Sequence, residues 1–284
     1  MEKVKGKSDL YNLLVEKFPV EGGGRPLGFV PTMGALHAGH ISLMHKAREA
    51  CPGVVVSIFV NPTQFNDPED LRKYPRTPDA DAALVESAGV DVLWLPEVVD
   101  LYGASLDCPR VDLGACTAVL EAAHRPGHFD GVVAVVGRLL EAVRPDVLYL
   151  GEKDLQQVAV LRAWAKTAFP ELQLVVCPTA RDPDGLAMSS RNARLRPDPR
   201  RIALQLPAAL SQCAANVQAG MDLRTALDAA RARLKRTDGL ACEYFEAVHP
   251  ETFLPAEAHA GGAVYAVAAV VVDGVRLIDN VRLA

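Results

Sequence analysis

The chain is 284 residues long, half of them hydrophobic, with a formal net charge of −5. That length buries a substantial core and admits one domain or two. The mild acidity and the lack of any basic run exclude a nucleic-acid surface, which needs concentrated Lys and Arg.

The chain begins Met-Glu-Lys-Val-Lys-Gly-Lys and leads into an amphipathic segment at 8–15 without the apolar core of a signal peptide, so a cytoplasmic protein is expected. Short β-rich runs follow at 27–30, 54–60, 91–95, 146–150 and 172–177. Helix-period segments at 39–50, 79–88 and 154–168 alternate with them, and this order predicts an α/β fold with a Rossmann-like, doubly wound parallel sheet. The segment 131–143 is apolar almost all round, which suits a helix between the sheet and another element, ended by Arg144-Pro145.

Beyond Cys177-Pro178 the texture changes. Residues 179–196 are turn-rich, helical patterns occupy about 198–218 and 222–236, and β-rich runs appear at 243–248, 264–272 and 275–278. Val272-Asp273-Gly274 reads as a hairpin turn. The run 263–272 is about half as long as a membrane-crossing helix requires and is expected to be a buried strand. A Rossmann-like domain over 1–178 and a smaller C-terminal α+β domain over 179–284 are therefore expected. The cysteines at 51, 108, 116, 177, 213 and 242 form no C-x-x-C pair, so they read as reduced and mostly buried.

Four polar motifs sit just after predicted strands or at the domain junction, where an open parallel sheet binds ligands. The first, Pro31 to His40, carries His37 and His40 at a strand-to-helix transition. Free N–H groups and the positive dipole end would meet an anion there, Gly34 and Gly39 would allow close approach, and the i, i+3 spacing would let both imidazoles reach one phosphate. Capping or surface histidines are the plainer reading, and zinc is disfavoured because no further ligand lies at short spacing. The second motif, Ser57 to Asn66, ends a strand in Asn61 and Gln64, amides suited to carboxylates and hydroxyls, or to a simple turn.

The third, Gly151 to Gln157, places Lys153 like a phosphate lysine at a helix entrance, whereas Asp154 and Gln157 also have the form of a capping box. The fourth, Ala187 to Asn192, offers Ser189, Ser190 and Arg191 as a lid over a polyphosphate, or as ordinary loop composition.

Together with Tyr74-Pro75-Arg76-Thr77 and Arg125-Pro126-Gly127-His128-Phe129-Asp130-Gly131-Val132, these motifs resemble the pantoate-β-alanine ligase family, with weaker echoes at Leu277 to Asn280. The resemblance implies that ATP and pantoate form a pantoyl-adenylate and pyrophosphate, after which β-alanine gives pantothenate and AMP. It implies that Met33, Gly34, Ala35, Leu36, His37, Ala38, Gly39 and His40 contact ATP, with His40 a proton donor. Gly151, Glu152, Lys153, Asp154, Ala180, Met188, Ser189, Ser190 and Arg191 would complete the ATP site. Asn61, Gln64 and Gln157 would face pantoate and β-alanine. The groups expected to act on the phosphates are His37, His40, Lys153, Ser189, Ser190 and Arg191, with Mg2+ sharing the load on unidentified ligands.

A homodimer without a nucleic-acid or membrane partner is implied as well. Thr63, Ala180 and Arg194 stand where the family more often has Met, Val and Tyr, which bears on substrate affinity more than on reaction type. Another H-x-G-H nucleotidylyltransferase, a small relative of the class I aminoacyl-tRNA synthetases, and a nucleotide-binding regulator are the competing readings.

Overall fold

The computed structural model describes residues 1–19, 26–256 and 262–283. Six parallel strands form the main sheet: β1 (Glu2–Val4), β2 (Leu27–Thr32), β3 (Gly53–Ile58), β4 (Val92–Trp94), β5 (Val147–Gly151) and β6 (Gln173–Cys177). Their spatial order is β1-β4-β3-β2-β5-β6. The chain steps outward from β2 through β3 to β4, then crosses to β5 on the other side. The switch point between β2 and β5 opens a crevice at their carboxyl ends, and two of the four motifs leave the sheet there.

The helices of this half are α1 (Lys7–Lys17), α2 (Ala38–Ala50), α3 (Pro68–Lys73), α4 (Pro78–Ser87), α5 (Val98–Tyr102), α6 (Glu121–His124), α7 (His128–Val143) and α8 (Leu155–Ala168). The expected strands and helices are all present, with ends moved by a few residues. β1, α3, α5 and α6 were not anticipated, because three to six residues carry too little periodicity to stand out. α7 is buried on most of its circumference. At Gly131 a Cβ would lie 2.5 Å from the Thr63 carbonyl oxygen, so only glycine lets α7 approach the turn after β3 this closely.

The C-terminal part contains α9 (Pro197–Ala203), α10 (Gln205–Gln218), α11 (Leu223–Lys235) and an antiparallel sheet of β7 (Leu240–Val248), β8 (Tyr265–Val272) and β9 (Val275–Arg282) in that order. The helix expected at 198–218 is two, because Pro207 lacks the N–H that a continuous helix would bond to Ala203. The hairpin turn is as expected: Asp273 and Gly274 both have positive φ, at 50° and 71°. One hydrophobic cluster draws wholly on residues from Leu186 to Leu283, while two others cover the two faces of the parallel sheet. The six cysteines are free, four of them buried.

Candidate active site

A cavity of about 240 Å³ lies at the carboxyl ends of β2, β3 and β5 and extends to the segment after β6. Its lining includes Met33, His37, Gly39 and His40 from the first motif, Asn61 and Gln64 from the second, and Gly151, Lys153, Asp154 and Gln157 from the third. Ala180, Met188, Ser189, Ser190 and Arg191 close it from the junction. The four motifs, spread over some 160 positions, therefore meet in one place. Gly34, Ala35, Leu36, Ala38 and Glu152, also expected to contact a nucleotide, do not line it.

The helix start is wired differently from the expectation of open amides. The Ala35 and Leu36 N–H groups donate to the Asp81 carboxylate at 2.9 and 2.8 Å, and Gly34 N donates to Thr32 Oγ1 at 3.4 Å. Asp81, on α4, is 2% exposed and also accepts from Thr77 Oγ1 at 3.0 Å. The turn is thus held by an internal carboxylate, since buried N–H groups require partners in the folded chain. Gly34 and Ala35 have positive φ, at 79° and 48°, which turns both amides toward that carboxylate.

The two histidines cap α2, as the plainer reading had it, and both also line the cavity. His37 Nδ1 accepts from Gly39 N at 3.2 Å, and His40 Nδ1 accepts from His37 N at 3.3 Å. With each Nδ1 acting as an acceptor, each neutral ring carries its proton on Nε2. The ring centroids lie 4.1 Å apart. Burial, then the Lys153 charge, lowers the His37 pKa to about 4, and burial, then His37 and Lys153, lowers that of His40 to about 3. At neutral pH these imidazoles are hydrogen-bond donors, not charged acids. Gly39 suits the same packing, because a Cβ there would meet the His37 ring at 3.0 Å and press it out of place.

Asn61, expected to read a substrate, is committed to the protein. It is 1% exposed. Its Oδ1 accepts from Tyr102 Oη at 2.8 Å and Thr63 Oγ1 at 3.0 Å, while its Nδ2 donates to Gln64 Oε1 and the Gly131 carbonyl, both at 3.1 Å. Thr63 is therefore part of a polar network, where a methionine would offer no hydroxyl. The bond from Asn61 orients Gln64 so that its Nε2 points toward Met33 Sδ, at 3.0 Å, on the cavity wall. The Gln64 carbonyl is clamped by Arg125 Nη2 at 3.1 Å and by His128 Nδ1 at 2.9 Å. His128 accepts at Nε2 from Arg125 Nη1 at 3.1 Å; burial first, then the guanidinium, lowers its pKa to about 3.

The two glutamines of the third motif divide their work. Gln156 is 4% exposed and ties α8 to the Cys116 and Val119 carbonyls and the Glu121 N–H. Gln157 lines the cavity and makes no hydrogen bond to a described residue. The expected capping box is absent: Asp154 makes no side-chain cap. A 3-10 turn at Glu152–Asp154 runs directly into α8, leaving Asp154 at φ −91°, ψ 54° and not in the extended conformation that an N-cap side chain needs. Its carboxylate lies 3.7 Å from Lys153 Nζ.

The C-terminal sheet supports this turn, a contribution signalled in sequence only by the echo at Leu277 to Asn280. Asn280 Nδ2 donates to the Glu152 and Lys153 carbonyls at 2.9 and 3.1 Å, and Tyr265 Oη donates to Glu152 Oε1 at 2.8 Å. Glu152 is thereby a support for the turn. Asp279, 2% exposed, receives Arg181 at 2.7 and 3.0 Å. Ser190 Oγ donates to the Ala35 carbonyl at 3.0 Å, while Ser189 Oγ accepts from Arg191 N at 3.3 Å and keeps its own proton for another acceptor.

Neutral N–H donors, open amides and cations around a crevice at a switch point are the equipment of an α/β enzyme that binds anionic substrates. The family model for pantoate-beta-alanine ligase matches residues 7–282. A pantothenate synthetase of Acidobacterium capsulatum is 47% identical over 262 residues, covering 92% of this chain and 87% of that protein. Another, from Corynebacterium glutamicum, is 45% identical over 91% of this chain and 94% of its own. A pantothenate synthetase structure from Thermus thermophilus superposes with a TM-score of 0.92 at 39% identity, covering 100% and 99% of the two chains. The ligase structure from Francisella tularensis, complexed with beta-gamma ATP and beta-alanine, has a TM-score of 0.81 at 34% identity, covering 99% and 97%. The chain belongs to the pantoate-β-alanine ligase family and is an enzyme of the ligase class.

Proposed function

We propose that this enzyme joins pantoate to β-alanine in two steps within the one cavity. A pantoate carboxylate oxygen attacks the α-phosphorus of ATP, the bond to the bridging oxygen breaks, and pyrophosphate leaves. The β-alanine amine then attacks the acyl carbon of the adenylate, loses a proton, and expels AMP. The single observation carrying this reading is the convergence of two neutral imidazoles, Lys153, Arg191 and the Gln64 and Gln157 amides on one cavity.

In this reading His37 and His40 donate Nε2–H bonds to phosphoryl oxygens as charge grows on them. Fixed donors in a dry site stabilise such charge without reorganisation. Lys153, Ser189 and Arg191 face the departing pyrophosphate, and Met33, Gly39, Gly151, Ala180 and Met188 form walls for the nucleotide. Gln64 offers an N–H to the acid, and Gln157 offers the second amide. Asn61 acts through Gln64, and Gly34, Ala35, Leu36, Ala38 and Glu152 act by shaping the turns. Enclosure protects the adenylate from water.

Mg2+ belongs to the same proposal. Among the described residues no three His, Cys, Asp or Glu side chains cluster as a metal cage, which fits a cation brought by the triphosphate, since Mg2+ keeps waters and takes one or two carboxylates. Asp154, on the cavity wall with its carboxylate half-exposed, would hold it. When bound, the ion would neutralise phosphoryl charge.

We further infer a domain division near residue 178, resting on the separate C-terminal hydrophobic cluster, together with a homodimer implied by the family and a cytoplasmic location. Among the described residues no helix is long and apolar enough to cross a membrane. Pantoate alone should support exchange of labelled pyrophosphate into ATP. Exchange that requires β-alanine would overturn the two-step order, and AMP scored with all three substrates tests the whole reaction.

A further inference from the structure

Arg191, the guanidinium assigned to pyrophosphate, is already held by an acid. Asp70, on α3, accepts from Arg191 Nη2 at 2.8 Å and from Arg191 Nε at 3.5 Å. The same carboxylate accepts from Arg194 Nη1 at 2.8 Å. All three side chains are about a quarter exposed, at 26%, 23% and 25% for Asp70, Arg191 and Arg194. Arg191 also sits over the Tyr74 and Phe65 rings, 5.4 and 5.9 Å from their centroids. The three residues stand where the cavity adjoins a second recess, which Asp70, Arg191 and Arg194 all line.

We propose that Asp70 is a positioning residue for Arg191, and that Arg194 is the counter-ion that keeps Asp70 paired when Arg191 turns to a triphosphate. The inference rests on the ATP reading given above. A lone Asp70–Arg191 pair would set the carboxylate in competition with phosphate oxygens, and ATP binding would strand a partly shielded negative charge beside another. Removing one partner of such a pair leaves the other uncompensated. With Arg194 on the opposite oxygen the group carries one net positive charge, and Arg191 can leave without orphaning Asp70. Arg194 and Arg191 share one short 3-10 turn, Ser190–Arg194, pinned to the first motif by the Ser190 bond to Ala35, so the second cation stays in place when the first reorients.

The test uses the full chain, calorimetric titration with ATP, and steady-state kinetics. Arg194→Gln should weaken ATP binding at least 5-fold, and Arg194→Lys, which keeps the charge, should stay within 2-fold of wild type. Asp70→Asn should bind ATP at least as tightly as wild type, because no carboxylate then competes with the phosphate oxygens for Arg191. In the double variant Asp70→Asn with Arg194→Gln, ATP affinity should return to within 2-fold of Asp70→Asn alone. A structural role for Arg194 would not produce that rescue. Unchanged ATP affinity in Arg194→Gln, or a defect that persists in the double variant, overturns the proposal. Should Arg194→Gln not fold, Asp70→Asn decides it: ATP binding as tight as wild type or tighter supports the proposal, and weaker binding overturns it. Pantoate-dependent pyrophosphate exchange by the wild-type chain is the separate check: if that fails, the functional reading fails; if it succeeds while Arg194→Gln binds normally, only the present inference falls.

Discussion

His40 Nδ1 accepts the backbone N–H of His37 at 3.3 Å, which leaves the ring proton of neutral His40 on Nε2. The same constraint acts on His37 through Gly39. Both rings should therefore show the Nε2–H tautomer in nitrogen-15 correlation spectra of the free enzyme. With pKa values of about 4 and 3, neither should titrate between pH 5.5 and 8. A midpoint near 6.5 for either ring would refute the assignment.

On the proposed mechanism, His40→Ala removes a donor to the reacting phosphate. Loss of one such donor typically costs about 2.7 to 4 kcal/mol of barrier, so kcat should fall on the order of 10² to 10³-fold. ATP affinity should change far less. Normal turnover with weakened ATP binding would contradict a role in the transition state.

Gln157→Glu tests an amide that the protein leaves unbonded. No cap is at stake, because Asp154 makes none, so the melting temperature should hold. The new carboxylate would repel the pantoate carboxylate and lose the N–H donors. kcat/KM for pantoate should drop sharply while calorimetric ATP binding stays near wild type. Full activity would remove Gln157 from the substrate site.

Glu121 ties α6 to the C-terminal sheet. It is 6% exposed and accepts from Arg276 at 2.5 and 2.8 Å and from Tyr244 Oη at 2.6 Å. Arg276→Met should destabilise the protein by about 1.5 to 3 kcal/mol, the usual effect of losing a hydrogen bond to a charged group, with Arg125 Nη1, 3.6 Å from Glu121, left as its remaining cation. Urea unfolding measures it, and a change under about 1 kcal/mol would show that the carboxylate finds water instead.

Stability should fall in two stages as acid is added. Burial, then the neighbouring Arg125, holds the His128 pKa near 3, below its unfolded value of about 6.5. The unfolded chain therefore binds the extra proton below pH 6.5, and stability drops by about 1.4 kcal/mol per pH unit for this residue as the pH is lowered. Burial alone would raise the Glu121 pKa, but Arg276 brings it to about 2. Its contribution is present above about pH 4.5 and is lost as pH falls toward 2. His37 and His40, also held neutral by burial, add to the first stage, so His128→Gln should reduce its slope by about 1.4 kcal/mol per pH unit and leave the second stage unchanged. An unaltered slope between pH 6 and 4.5 would show that His128 is not buried neutral.

The order of strands, the helices between them, the hairpin at Asp273-Gly274 and the four polar motifs were legible in the sequence, because each rests on local periodicity or on residue types needed within a few positions. Most expected site residues did reach the cavity for the same reason: motifs that follow parallel strands share one edge of the sheet. Local pattern could not say which polar atoms the protein would use up internally. Asp81, 45 residues beyond Leu36, takes the amides that looked open to phosphate; Gly131 and Tyr102 absorb Asn61; Asn280 carries the turn that holds Lys153. The absence of a capping box at Asp154 and Gln157 follows from a short 3-10 turn invisible to periodicity, and the hold of Asp70 on Arg191 spans 121 positions. Buried donors and acceptors must be matched in three dimensions, so sequence named the groups that carry the chemistry, and packing decided which of them remain free to perform it.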